Sequence, residues 1–188
     1  MKIKIKFNSP VVLSFTIISF VVLLLGLMTG NKITEIAFMT YGRYWTSPLT
    51  YVRLFTHVLG HANFQHYIGN MMYLLLIGPL LEEKYGSKAM LEIILITALV
   101  TGLINNLLFP DTALCGASGV VFAFIVMASF TSFSDKEIPL TFILVVILYV
   151  GQEIFQGIFV TDNISNTAHI VGGLIGSVIG YKLNKKNP

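Results

Sequence analysis

Six long apolar stretches, broken by short clusters of charge, proline and asparagine, organise this chain: about residues 10–28, 63–81, 88–108, 117–133, 138–157 and 167–183. A bilayer core takes about 20 apolar residues per helix, with a range of roughly 17 to 25, and each stretch meets that length. The breaks are Glu82-Glu83-Lys84 with Gly86, Pro110-Asp111, Ser134-Asp135-Lys136-Glu137 with Pro139, and Thr161-Asp162-Asn163. The pattern predicts an all-α, polytopic membrane protein, a bundle of six transmembrane helices forming a single domain over residues 1–188. The first run follows Lys2, Lys4 and Lys6 as the core of a signal peptide would. It is too long for one and lacks a small-residue cleavage site, so it is expected to remain as an anchor.

Composition sharpens this picture. The chain is 55% hydrophobic and 11% charged, with a mean hydropathy of +0.79, where an ordinary soluble domain carries roughly 25% charged residues. The net charge of +3 is small, and the lysines sit at the ends of apolar runs. They read as topology signals, so nucleic acid is not expected as a partner. The single cysteine, Cys115, rules out an intrachain disulfide framework and a Cys-rich metal site. An even number of spans puts both termini on one side, together with Lys84, Lys88 and Lys136, leaving Lys32, Arg43 and Arg53 on the other. The positive-inside rule then places both termini in the cytoplasm of a multi-pass protein of the plasma (inner) membrane.

The long external segment, about 29–62, interleaves Tyr41, Tyr44, Trp45, Tyr51 and Phe55 with Arg43 and Arg53. Amphipathic aromatics with arginine suit the headgroup boundary, so the segment is expected to lie in the outer leaflet's interface. An ordinary aromatic belt would look the same.

Polar residues inside membrane spans are costly and therefore informative. They gather at one depth here. The second span opens with "HVLGHANFQHYIGN", carrying His57, His61, His66 and Asn70; the fourth opens with Gly116, Ser118 and Gly119; the sixth, "NTAHIVGGLIG", carries His169. All three spans begin outside in this topology. His66 and Asn70 share a helix face at i, i+4, and Asn63 is a plausible N-cap. The stripe Gly172, Gly173, Gly176 and Gly180 below His169 suits close helix packing in lipid. A lone serine or glycine pair would be a packing device; the coincidence of all these groups at one face is what suggests chemistry.

A serine becomes a nucleophile when a base takes its proton, and histidine titrates in the right range. Acyl transfer also needs donors aimed at the developing oxyanion. Ser118 with His169 meets the first need; His66, Asn70 and the Ser118 backbone N–H meet the second. Asp162 is the one acidic residue near His169 in sequence, so a dyad is expected in place of a triad, and Val120 removes the G-x-S-x-G elbow. A metal site is the chemical rival. His57 and His61 have the i, i+4 spacing of zinc-protease histidines, but Val58 stands where H-E-x-x-H needs glutamate, and Glu153 has no evident partners. No metal is expected. A transport path is also disfavoured, because the histidines collect at one face instead of crossing the bilayer.

The stretches "HVLGHANFQHYIGN", "GASG" and "AHIVGGLIG", in this order, resemble the rhomboid family of intramembrane serine proteases, over about Arg53 to Gly180 and in its minimal six-helix bacterial form. The resemblance implies hydrolysis of peptide bonds in or near transmembrane segments of membrane-protein substrates, by a Ser–His dyad without cofactors. It implies Ser118 as nucleophile, His169 as general base, and His66 and Asn70 as oxyanion stabilisers. Gly116 and Gly119 match residues that shape the nucleophile turn, Gly172 and Gly176 the contact between the sixth and fourth helices, and His57 and His61 supporting histidines. Two departures stand out: Val52-Arg53 where many members have Trp-Arg, and Phe122 where a tyrosine often stacks on the catalytic histidine. The phenylalanine ring is expected to stack as well. Substrate is expected to enter near the fifth helix, with "FVTDNISN" as a cap. A rhomboid-like protein that binds or escorts transmembrane segments without cutting them is the alternative.

Overall fold

The computed structural model describes residues 6–129 and 166–186, together with 140, 141, 143–145, 147, 148 and 151. Among these residues the fold is helical, with one isolated antiparallel bridge between Thr40 and Leu114 and no strand. The long helices are α1 (Pro10–Met28), α4 (Phe64–Tyr85), α5 (Ser87–Leu108), α6 (Ser118–Ser129) and α7 (Asn166–Lys186). They fall on five of the six predicted stretches; the expected helix over 138–157 and the "FVTDNISN" loop lie largely or wholly outside the described residues. Two of the helices, α1 and α5, combine the length and apolarity needed to cross a bilayer, while the described part of α6 is apolar but shorter.

The predicted break at Glu82-Glu83-Lys84 is corrected: α4 runs through all three residues and ends at Gly86, whose φ of +84° favours glycine. The physical reason is that Glu82 belongs to the interior. It is 5% exposed, and its carboxyl oxygens accept the backbone N–H groups of Val11 and Val12, each at 3.0 Å, while Ser87 Oγ donates to it at 2.7 Å. Ser9 makes no side-chain cap for α1. Glu82 supplies one from another helix, placing an acidic group at the positive end of the α1 dipole. At its other end α4 starts as predicted, with Asn63 Oδ1 accepting from His66 N at 2.8 Å.

The segment 29–62 is more structured than a belt. It contains α2 (Lys32–Ala37), α3 (Pro48–Thr56) and a 3-10 turn, His57–Leu59. Thr40 and Leu114 exchange two backbone hydrogen bonds of 2.9 Å. The Thr40 hydroxyl and the Asn106 amide, both buried, bond to each other at 2.9 and 3.1 Å, and Asn105 Nδ2 donates to Thr112 O at 2.8 Å. The segment is thus tied onto the far end of α5. Arg53 points inward, 8% exposed. Its Nε donates to Ile36 O at 2.6 Å and its guanidinium lies 4.9 Å from the Tyr41 ring centroid, while Val52 faces outward. The loop is therefore anchored through arginine, without a tryptophan beside it.

The core is filled by Leu23, Leu74, Met90, Ile93, Phe124 and Met127, all almost wholly buried. Large apolar side chains of α1, α4 and α5, such as Leu24, Leu76 and Leu107, face outward instead. A soluble protein rarely leaves such continuous apolar surface uncovered, whereas lipid covers it at no cost.

Candidate active site

The turn before α6 is built around Gly116. Its φ of +124° lies where L-residues are strained, and a Cβ there would sit 2.7 Å from both Cε1 and Nε2 of the His66 ring. Glycine is required twice over, once for the backbone and once for the histidine. The Gly116 N–H donates to His57 O at 2.9 Å, fixing the turn against the 3-10 segment. Ser118 follows as the first residue of α6, half-buried at the helix N-terminus.

Asn70 lies one turn beyond His66 on α4. Its Nδ2 is the next atom a Cβ on Gly116 would meet, at 3.8 Å. That nitrogen is buried without a hydrogen-bond partner among the described residues. An unpaired buried donor is costly, and such groups in native proteins call for a functional explanation.

On α6, Phe122 stands one turn below Ser118, on the same face. Its ring stacks on His169 of α7, with centroids 4.5 Å apart and planes within 7°. His169 is 9% exposed and, through the Phe122 ring, packs on the face of α6 that bears Ser118 at the helix N-terminus. The approach of α7 depends on small residues. A Cβ on Gly172 would run into the backbone of Gly119, and one on Gly176 into the backbone of Ala123. Gly119 in turn leaves room for Ala168 O and for Thr97 and Thr101 of α5. The predicted helix contact is present, through Gly119, Gly172 and Gly176.

His57 and His61 lie beside this cluster but not on α4, which begins only at Phe64. His57 sits in the 3-10 turn, and its Nε2 donates to Ala98 O of α5 at 3.0 Å. His61 contacts Leu59 O through Nδ1 at 3.2 Å, and its ring meets His66 edge-on with centroids 5.0 Å apart. Their i, i+4 spacing is thus not a helical one, because Gly60 leaves the helical conformation with ψ of 141°. Among the described residues no three His, Cys, Asp or Glu side chains gather as a metal site. Asp162 and Glu153 lie outside the described residues. Cys115 adjoins Gly116, and burial pushes its thiol up to about 11, so it stays protonated near neutrality and is a poor nucleophile there.

Nearby, Arg43 Nε and Asp111 Oδ1 pair at 2.5 Å on the surface. The arginine holds the Asp111 carboxyl below its ordinary value, first through the hydrogen bond and then through charge. Glu82, Asn105 and Asn106 hold elements together away from this cluster, and their roles are not evident in the sequence. Each stands near the end of an apolar run, where a polar residue reads as a boundary.

The fold is that of a helical protein with a serine at a helix N-terminus, a histidine on a glycine-seamed neighbouring helix and two polar side chains beside the Gly116 turn. The family model of the Rhomboid domain matches residues 48–186, and the chain belongs to the rhomboid family, whose members are membrane-embedded. Its relatives include rhomboid-related protein 2 of Mus musculus, 31% identical over 72% of this chain and 51% of the relative. Rhomboid protease GlpG of Haemophilus influenzae is 25% identical over 79% of this chain and 80% of its own length. Rhomboid protease GlpG of Pectobacterium atrosepticum is 26% identical over 95% and 65%. The chain spans about half the length of the mouse relative.

Proposed function

We propose that this chain is an intramembrane serine endopeptidase that cuts transmembrane segments of other membrane proteins. The observation that carries the reading is the unpaired, buried Asn70 Nδ2 facing the Gly116 turn, next to the histidine ring that turn is shaped around. A donor kept unpaired beside a serine at a helix N-terminus suits an oxyanion that exists only during reaction. The stack of Phe122 on His169 supports the same reading, since it orients the imidazole without a third catalytic residue.

In this proposal His169 takes the proton of Ser118 as its oxygen attacks the scissile carbonyl carbon. The oxyanion is held by His66, Asn70 and the Ser118 N–H. Collapse of the tetrahedral adduct breaks the C–N bond, His169 protonates the departing amine, and water then releases the acyl group by the same steps. Gly116, Gly119, Gly172 and Gly176 shape the turn and the seam; His57 and His61 support it from the side. Residues 1–188 form one domain with six spans, both termini cytoplasmic and the site open to the outside. A helical peptide bond is shielded and its carbonyl already bonded, so substrates with helix-breaking residues near the outer boundary are expected to be cut fastest.

The test is cleavage of a transmembrane substrate by the purified protein in lipid vesicles, beside Ser118→Ala and His169→Ala and with a chelator control. Cleavage that survives the chelator and is lost in both variants is the expected result. If the wild type binds the segment without cutting it and both variants bind equally well, the protein is a binder or escort of membrane segments.

A further inference from the structure

We propose that the cleft between α1 and α5 binds an acyl chain of an anionic phospholipid, with the headgroup held by Lys6 and Lys88. The cleft has a volume of about 370 Å³. Its walls are Ser14, Phe15 and Ile18 of α1 and Leu91 and Ile94 of α5, and Leu59 completes the lining. Among the described helices these two have both the length and the apolarity to span a bilayer, so the cleft opens to hydrocarbon. An unfilled apolar gap forfeits dispersion contacts on both walls, and a flexible methylene chain restores them.

Size and charge identify the occupant. The wall from Pro10 to Ile18 is about 12 Å long at 1.5 Å per residue. That approaches the roughly 15 Å depth of one leaflet's hydrocarbon, half of about 30 Å. Pro10 and Ser87, the first residues of α1 and α5, both line the mouth. Lys6 is exposed and stands four residues before Pro10 in the non-helical lead into α1, and Lys88 follows Ser87 with its side chain 92% exposed. The acidic groups here leave that charge available. Glu82 is buried and engaged by Val11, Val12 and Ser87, Glu83 is exposed on the neighbouring helix, and Glu92 approaches Lys88 only at 3.9 Å. Lysines at a membrane surface attract anionic headgroups, and a phosphate between two ammonium groups makes charge-assisted bonds.

The test is native mass spectrometry of the full chain, released from vesicles of equal phosphatidylglycerol and phosphatidylcholine. One phosphatidylglycerol is expected to be retained over phosphatidylcholine by on the order of tenfold, as two lysines at a surface allow. Lys6→Gln/Lys88→Gln is expected to erase that preference. Leu91→Trp, which fills the cleft, is expected to abolish retention of either lipid, with thermal unfolding in phosphatidylcholine vesicles confirming the fold. Ser14→Phe fills it from the opposite wall should Leu91→Trp not fold. Equal retention of both lipids by the wild type, or undiminished phosphatidylglycerol on a folded cleft-filled variant, overturns the proposal.

Discussion

Two joints of this molecule hold by opposite means. Between α6 and α7 the contact exists because side chains are missing: Gly172 lies on Gly119 and Gly176 on Ala123, backbone to backbone. Between segment 29–62 with the loop after α5 and the end of α5 it exists because polar atoms are present: Thr40 with Asn106, Asn105 with Thr112 O, and Arg43 with Asp111. In lipid there is no hydrophobic drive between helices, so close packing has to come from shape. At the water boundary hydrogen bonds give direction that packing alone lacks. The candidate site sits where the two kinds of joint meet, with His169 delivered by the first and the Gly116 turn held by the second.

The comparison is broken most severely at the seam. Gly172→Leu puts a side chain into the backbone of Gly119, where neither helix can yield by a rotamer change. A loss above about 3 kcal/mol, beyond the usual overpacking cost, is expected in denaturant unfolding in mild detergent. The Phe122–His169 stack should go with it, and with it the cleavage that the proposed function requires. A smaller effect follows Glu82→Gln, because the amide nitrogen accepts nothing from an N–H and strands one donor of α1. About 1–3 kcal/mol is expected in the same assay, and a change within error would mean that the Glu82 bridge is dispensable.

At the polar joint, Thr40→Val leaves the buried Asn106 amide short of a partner and should cost about 1–3 kcal/mol. Thr40→Val/Asn106→Leu should cost less than the sum of the two single changes; strict additivity would show that the pair is not coupled. The smallest effect belongs to the exposed Arg43–Asp111 pair. Asp111 is held below its ordinary value, so its contribution is present above the usual aspartate pKa and is lost as pH falls through the lowered one. Asp111→Asn should therefore differ slightly from wild type at neutral pH and converge with it in acid or high salt. A gap that widens on acidification would contradict the assigned sign.

Much of this is legible in the sequence. The α1 limits matched the apolar run, Asn63 capped α4, and the glycine stripe below His169 met the helix carrying Ser118. Each is a short-range or periodic signal, readable from neighbours along the chain. Glu82 was not legible in this way: as one of three charged residues after an apolar run it looked like a turn, and its partners lie about seventy positions away. Arg53 and the aromatic segment read only as an interfacial stretch, because hydrogen bonds to Ile36 O and packing on Tyr41 leave no local pattern.

The amino-acid sequence by itself determined that the chain is helical and apolar, and which serine, histidines and asparagine stand near helix ends, since hydropathy and spacing are properties of the chain alone. Only the tertiary structure decided that Gly116 is moulded to the His66 ring, that Asn70 Nδ2 is left unpaired beside it, and that Glu82 caps α1. Those outcomes depend on which distant backbones approach within a side chain's reach, and that is set by the packing of all the helices at once.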